Sequence, residues 1–292
     1  MIYLGEFFAI ITALGWALSS LFFEIASKKA DSISVNVIRL FIGIFLLGLF
    51  SFGERGLFLP LDSTIYNWKF LGISGVIGLF LGDFFLYEAY VLIGAKICML
   101  FMTMTPLIVG IFGYIFLGEK LTFLQIIAMI ITCSGILLVV LKPNNNEGKK
   151  ISTKGIAFIT TATIFEAIGI VFTKIGSSGY SPSSSTQIRM ICALVVFIIF
   201  LSIKKQWGKI FHTLKNKQNL LFILGGTVTA TVGITFLVAA LNLGNAGVIS
   251  TISSTSPIII IPISHFVFKD KIKIKEILGA CISVFGIALF FL

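Results

Sequence analysis

Charge is scarce in this sequence. Of 292 residues only 12% are Asp, Glu, Lys or Arg, about half the share of an average soluble protein. There are 4 cysteines, 2 histidines and 6 prolines. Cys98, Cys133, Cys192 and Cys281 all lie inside apolar runs without CxxC spacing, which predicts buried small residues rather than a metal site or a disulfide framework. No HExxH occurs and no Ser–His pair is recognisable. The run Phe80-Leu81-Gly82-Asp83 departs from GxGD and has no second intramembrane aspartate to work with. No ATP-binding motif is present, so primary pumping would need another subunit. These absences argue against an enzyme, a cofactor or a bound metal.

What is abundant is apolar: 57% hydrophobic residues, 30 Phe and a mean hydropathy of +1.07. Runs of span length fall at 4–25, 33–52, 68–88, 96–117, 121–141, 154–174, 183–203, 219–241, 246–268 and 274–292. Ten spans at about 20 residues use about 200, which leaves no room for an appended soluble domain. Lipid offers the backbone no partner, so runs of this kind are helices. The first run opens without a basic segment and reads as a first helix, not a cleaved signal. The net charge of +10 sits in short lysine-bearing connections, which suits lipid headgroups and not nucleic acid.

The chain repeats itself. At an offset of 150, Gly5 falls on Gly155, Phe22 on Phe172 and Arg39 on Arg189. After one extra residue, at 151, Gly82 meets Gly233, Pro106 meets Pro257, Lys120 meets Lys271 and Gly135 meets Gly286. The reading is a duplication, with a first repeat over 1–141, a polar linker over 142–153 and a second repeat over 154–292. Five helices per repeat is an odd number, so the second copy enters the membrane from the opposite face. The expected fold is an all-α membrane protein of ten transmembrane helices in two inverted five-helix repeats, with a site at the midplane between them.

The stretch from Gly82 to Leu121, GDFFLYEAYVLIGAKICMLFMTMTPLIVGIFGYIFLGEKL, together with Gly135, resembles the EamA repeat of the drug/metabolite transporter superfamily. The second copy is similar but carries Phe268-Lys269-Asp270 in place of Leu117-Gly118-Glu119. The resemblance covers essentially the whole chain. It implies a ten-helix carrier of a metabolite or drug, working as a monomer in the cell membrane, and leaves the substrate open.

Ionised groups at a bilayer centre are costly, so each needs a reason. Glu166 lies about 18 Å into its helix at 1.5 Å per residue, and its counterpart in the first repeat is Trp16. Glu166 with Gly169 and Lys174 resembles the first helix of the small multidrug resistance proteins, which implies competitive binding of proton and substrate there. A neutral acid or an ion-paired packing residue is the other reading. Asp83, whose counterpart is Ile234, lines the cavity with Tyr87 or pairs with Arg39. Arg39 can also pair with Glu24 across a short loop, whereas Arg189 has Lys174 at that register and lacks a local partner, so it either reaches another carboxylate or faces an anionic ligand. Glu88 and Lys96 read as a solvated or interfacial pair, and His265 as interfacial. Pro106 and Pro257 interrupt their helices. Around them Thr103, Thr105, Ser253 and Ser254 either satisfy the freed backbone, pack, or hold substrate. Trp16 stacks on substrate or fills the bundle.

The side holding the termini carries Arg55, Lys69, Lys120 and Lys174, against sixteen lysines on the other. The positive-inside rule makes the lysine-rich side cytoplasmic, while many members of the resembled family are drawn with their termini inside. The connection from Lys204 to Asn219 spaces Trp207, Ile210, Phe211 and Leu214 as one helical face, predicting a short amphipathic helix on the headgroups. The functional expectation is a secondary transporter of a small organic molecule, coupled to protons through Glu166, or else a facilitative carrier or channel without coupling.

Overall fold

A computed structural model describes residues 3–102, 104–140, 152–256, 258–259 and 274–289. Thr103, Pro257, His265 and residues 141–151, which hold most of the expected linker, lie outside them. The described residues form twelve α-helices and one π-helical stretch, and contain no strand. In order these are α1 (Leu4–Lys29), α2 (Ser32–Arg55), α3 (Ile65–Ser74), the π stretch (Gly75–Gly82), α4 (Asp83–Met102), α5 (Thr105–Leu117), α6 (Phe123–Val140), α7 (Thr153–Ser177), α8 (Pro182–Lys204), α9 (Trp207–Lys215), α10 (Lys217–Leu241), α11 (Ala246–Ser253) and α12 (Ile274–Ala288).

Among the described residues six helical segments are long and apolar enough to cross a bilayer, and shorter apolar helices accompany them. Phe41, Phe45, Phe50, Phe52 and Phe116 stand more than half exposed, a surface that water would not tolerate over such an area. The chain is a multi-pass integral membrane protein. Its cysteines follow the expected burial at Cys98 and Cys133, but Cys281 is exposed on the outer face of α12 and Cys192 is half-buried. Their packing is decided by which side of the helix they occupy, which hydropathy does not resolve.

Local chemistry sets the helix ends. Asp31 caps α2 by accepting from the Ser34 N–H at 3.3 Å. Thr64 and Asn67 cap α3 reciprocally. Such caps satisfy N–H groups that the first turn leaves free. One expected boundary moves. The third run ends at Gly94 and not near residue 88: there the backbone leaves the helix, with a φ of 78° that suits a residue without Cβ, and the next helical segment of α4 begins beyond it. The fourth run is interrupted just before Pro106. The proline sits in the first turn of α5, after a break at Met104, where its missing N–H costs nothing.

Helices meet where side chains are smallest. A Cβ on Gly15 of α1 would stand 2.8 Å from the Gly233 Cα of α10, and one on Gly169 of α7 would stand 2.9 Å from the Gly78 Cα of the π stretch. Along α1 the contacts run from Gly5 near Leu243 to Phe23 near Gly226, so α1 and α10 are antiparallel. Gly155 near Leu92 and Gly176 near Leu71 give the same sense to α7 against α3 and α4. Gly135 meets Ser283 and Gly286 meets Thr132, with the Ser283 hydroxyl donating to the Thr132 carbonyl at 3.1 Å. Helices α6 and α12 are therefore antiparallel too. So are α2 and α8, where Ser51 meets Ser184 at 3.3 Å and Gln187 donates to the Ile44 carbonyl at 3.2 Å.

The amphipathic segment forms as α9. Ile210 turns inward, while Trp207, Phe211 and Leu214 remain exposed.

Candidate functional site

A cavity of about 140 Å³ lies where α1, α2, α4, α7, α8 and α10 converge. From α1 it takes Trp16, Ser19, Ser20 and Phe23, spaced i, i+3, i+4 and i+7 so that one helix face supplies all four. Arg39 comes from α2, Asp83, Tyr87 and Tyr90 from α4, Glu166 from α7 and Arg189 from α8. Thr105, Ser254 and Ser256 add hydroxyls from the ends of α5 and α11.

One of the two arginines is fully engaged. Arg39 Nη2 donates to Asp83 Oδ2. Its Nε donates to Asn36 Oδ1 at 2.9 Å, and Asn36 in turn donates to the Ser32 carbonyl at 3.2 Å. The guanidinium lies over the rings of Tyr87 and Phe23 at 5.5 and 5.6 Å from their centroids. Aromatic faces, a carboxylate and an amide together hold this cation. The expected pairing with Glu24 does not occur. Glu24 binds Lys28 at 2.6 Å on its own helix instead, because i,i+4 neighbours meet without crossing the loop.

Arg189 is 1% exposed, and its Nε and Nη1 have no hydrogen-bond partner. The π stretch explains how it lies so deep. Gly75, Gly78 and Gly82 bring a nearly bare backbone against α8 and α7, and a side chain on Gly75 would strike the Arg189 carbonyl. Arg189 Nη2 and Glu166 Oε2 lie 3.6 and 3.7 Å from the place a Gly78 Cβ would occupy, and Glu166 Oε2 is 3.5 Å from the corresponding point on Gly82. No ion pair joins Glu166 to Arg189 among the described residues. Cavity-facing groups thus divide into an engaged pair, Arg39 with Asp83, and two opposite charges left over. Buried charge without a hydrogen-bonded partner is costly.

The structure brings together Trp16, Arg39, Asp83, Tyr87, Glu166, Arg189 and Ser254. Ser253 is not among the lining residues: its hydroxyl reaches the Ala9 carbonyl at 3.5 Å. Pro106 stands one position from the lining residue Thr105 and does not itself line the cavity. Ser19, Ser20 and Tyr90 were not anticipated. The helical spacing of Ser19 and Ser20 from Trp16 was the available signal. Ser256 donates to the Ser253 carbonyl at 3.1 Å and Thr255 to that of Ile252 at 2.7 Å, so the hydroxyl run does satisfy backbone at the end of α11.

Away from the cavity, α7 is latched to α5 and α11. Lys174 donates to Glu119 Oε1 and to the Gly244 carbonyl, and Glu119 Oε2 accepts from the Ala246 N–H at 2.8 Å. Glu119 thereby caps the N-terminus of α11, where a negative charge is favoured.

Among curated proteins no sequence matches this chain significantly. One solved crystal structure of a protein superposes with a TM-score of 0.74 at 13% identity, over 98% of this chain and 96% of that one. At that identity the likeness speaks for the fold. The sequence itself matches the EamA-like transporter family over residues 3–141 and again over 153–292. That double match points to membrane transport of a small molecule rather than to catalysis. The chain belongs to the EamA-like transporter family.

Proposed function

We propose that the protein is a secondary carrier that moves a small organic solute through the central cavity by alternating access, with Glu166 exchanging a proton for the solute. In this reading the ten apolar runs are ten crossings of the cell membrane, arranged as two five-helix halves inserted in opposite directions. Contacts between repeat-equivalent helices support it. Thr132 and Gly135 of α6 correspond to Ser283 and Gly286 of α12, and these four residues meet in an antiparallel crossing. Copies inserted the same way would set equivalent helices parallel. A carrier then works by rocking the halves about the site between them.

The observation that carries the reading is the corner holding Glu166 and Arg189. A solute bearing one cationic and one anionic group would supply both missing partners at once. The volume of about 140 Å³ lies below the roughly 300–1,000 Å³ of drug-sized sites, which favours a small metabolite over a bulky drug. When no solute is present, a proton on Glu166 would take the place of the solute's cationic group on that carboxylate.

Purified protein in liposomes, supplied with labelled zwitterionic metabolites and a pH gradient, tests this. Wild type should concentrate its substrate against a gradient. Glu166→Gln should retain exchange but lose the response to pH. If Glu166→Gln still concentrates substrate with the proton gradient, coupling lies elsewhere. If wild type only equilibrates substrate, the protein is a facilitative carrier.

A further inference from the structure

A second cavity, of about 540 Å³, opens between the α1–α2 turn and α9. Its wall carries Lys28, Lys29, Lys209 and His212 against a single acid, Asp31. The three ammonium groups are held in place. Lys28 binds Glu24 at 2.6 Å, Lys209 binds Asp31 at 3.1 Å, and Lys29 sits 4.9 Å from the Phe222 ring centroid. Each ammonium has three donors, so these contacts leave N–H groups free. Asp31 and Asn216, which line the cavity, are the N-caps of α2 and α10, so the positive ends of two long helices lie at its wall.

Asn219 supplies an independent observation. It lines this cavity and is 1% exposed, yet neither its Nδ2 nor its Oδ1 has a hydrogen-bond partner. A buried amide left unpartnered costs free energy comparable to a lost hydrogen bond. Lysines, helix N-termini and a waiting amide donor are together the chemistry that takes a phosphate group.

The geometry points to a discrete site for the phosphate of an anionic phospholipid headgroup. A lipid is favoured over a free anion by its surroundings. Trp207, Phe211 and Leu214 are exposed along the same short helix that contributes Lys209 and His212. At helical spacing those three side chains lie on the opposite side of α9 from Gly208, Lys209 and His212, so they would seat α9 in the membrane surface. The pocket, where the long apolar helices α1, α2 and α10 end, then lies at headgroup level. The inference does not depend on what the central cavity transports.

The test is native mass spectrometry of the full chain in detergent, titrated separately with phosphatidylglycerol, phosphatidylcholine and inorganic phosphate. Phosphatidylglycerol should bind more tightly than phosphatidylcholine. In Lys29→Gln/Lys209→Gln its affinity should fall about thirtyfold, the loss expected for two headgroup-facing lysines. Asn219→Leu should weaken it without any change in charge. The charge-matched Lys204→Gln/Lys205→Gln, outside the pocket, should bind as wild type does. Equal losses in the two lysine pairs would mean diffuse surface attraction and overturn the site. An unchanged affinity in Asn219→Leu would do the same. Inorganic phosphate binding as tightly as phosphatidylglycerol would overturn the assignment to lipid.

Discussion

Arg39 and Arg189 occupy the same position in the two repeats, yet Arg39 is tied to Asp83 while the Nε and Nη1 of Arg189 have no partner. One sequence difference accounts for the asymmetry. The residue equivalent to Asp83 in the second repeat is Ile234, so no carboxylate awaits Arg189 at that register. Glu166, which replaces Trp16, brings the compensating charge from another helix without closing a bond.

The two arginines should therefore respond differently to removal. Asp83→Asn strands a buried guanidinium and should destabilise the protein by roughly 3–5 kcal/mol, read as a lower thermal midpoint in detergent. Arg189→Gln removes a cation that has no full partner, so its midpoint should stay at or above wild type while transport is lost. A collapse of Arg189→Gln in the same melt would mean that Arg189 is a structural ion and not a ligand of the solute.

Close helix approach at the π stretch should be intolerant of any side chain. Gly169→Val would place atoms on the Gly78 backbone and should cost about 1–3 kcal/mol or more. Gly53, in α2, has nothing within 4 Å of the point where a Cβ would stand. Gly53→Ala should leave the unfolding midpoint unchanged or slightly raise it, since alanine favours helix by roughly 1 kcal/mol. Similar melts for the two variants would contradict the packing argument.

The Lys174–Glu119 latch should show energetic coupling. Glu119→Ala removes both the ion pair and the cap on α11, and hydrogen bonds to charged groups are worth roughly 1.5–3 kcal/mol. Lys174→Met alone should cost less, because Glu119 keeps the Ala246 N–H. In a double-mutant cycle the two losses should fail to add. Strict additivity would show that the contact contributes nothing.

On the loop between α2 and α3, Asp62 has a depressed pKa. Slight burial pushes its carboxyl upward, but the Tyr180 hydroxyl, a backbone N–H and the Arg55 guanidinium outweigh this and hold it below the ordinary value. Tyr180 donates to Asp62 Oδ1 at 2.8 Å and Arg55 Nη1 to Oδ2 at 2.6 Å. A depressed carboxylate stabilises the fold above its unfolded pKa of about 3.9 and loses that contribution as pH falls through the lower folded value. Between pH 5 and 3 wild type should therefore lose thermal stability more steeply than Asp62→Asn. Parallel curves would show that Asp62 is unlinked to folding.

Hydropathy alone made most of the helices legible, because in lipid a long apolar run has one available conformation. Residue identities at a nearly fixed offset exposed the repeat, and with it the equivalence of Arg39 and Arg189. The charged residues named from the sequence, Glu166, Asp83, Arg39 and Arg189, do meet around one cavity, since an ionised group in an apolar run has few other places to go. Pairing was harder. Glu24 is nearer to Arg39 in sequence than Asp83 is, but helix geometry turns it toward Lys28. Nothing in the local sequence announces the π stretch as such, because a widened helical turn depends on what packs against it. The latch through Glu119 joins positions 55 residues apart on Lys174 and 127 apart on Ala246, which no local pattern could reveal.

Alternating access makes one demand that no static pore meets: a group lining the central cavity must be reachable from each side of the membrane in turn. Ser20 lines that cavity on α1. In a cysteine-free background, Ser20→Cys should react with a membrane-impermeant thiol reagent added to either face of oriented vesicles, with the preferred face shifting when substrate is supplied. Reaction from one face only, whatever the substrate or pH, would contradict a carrier that rocks about this site.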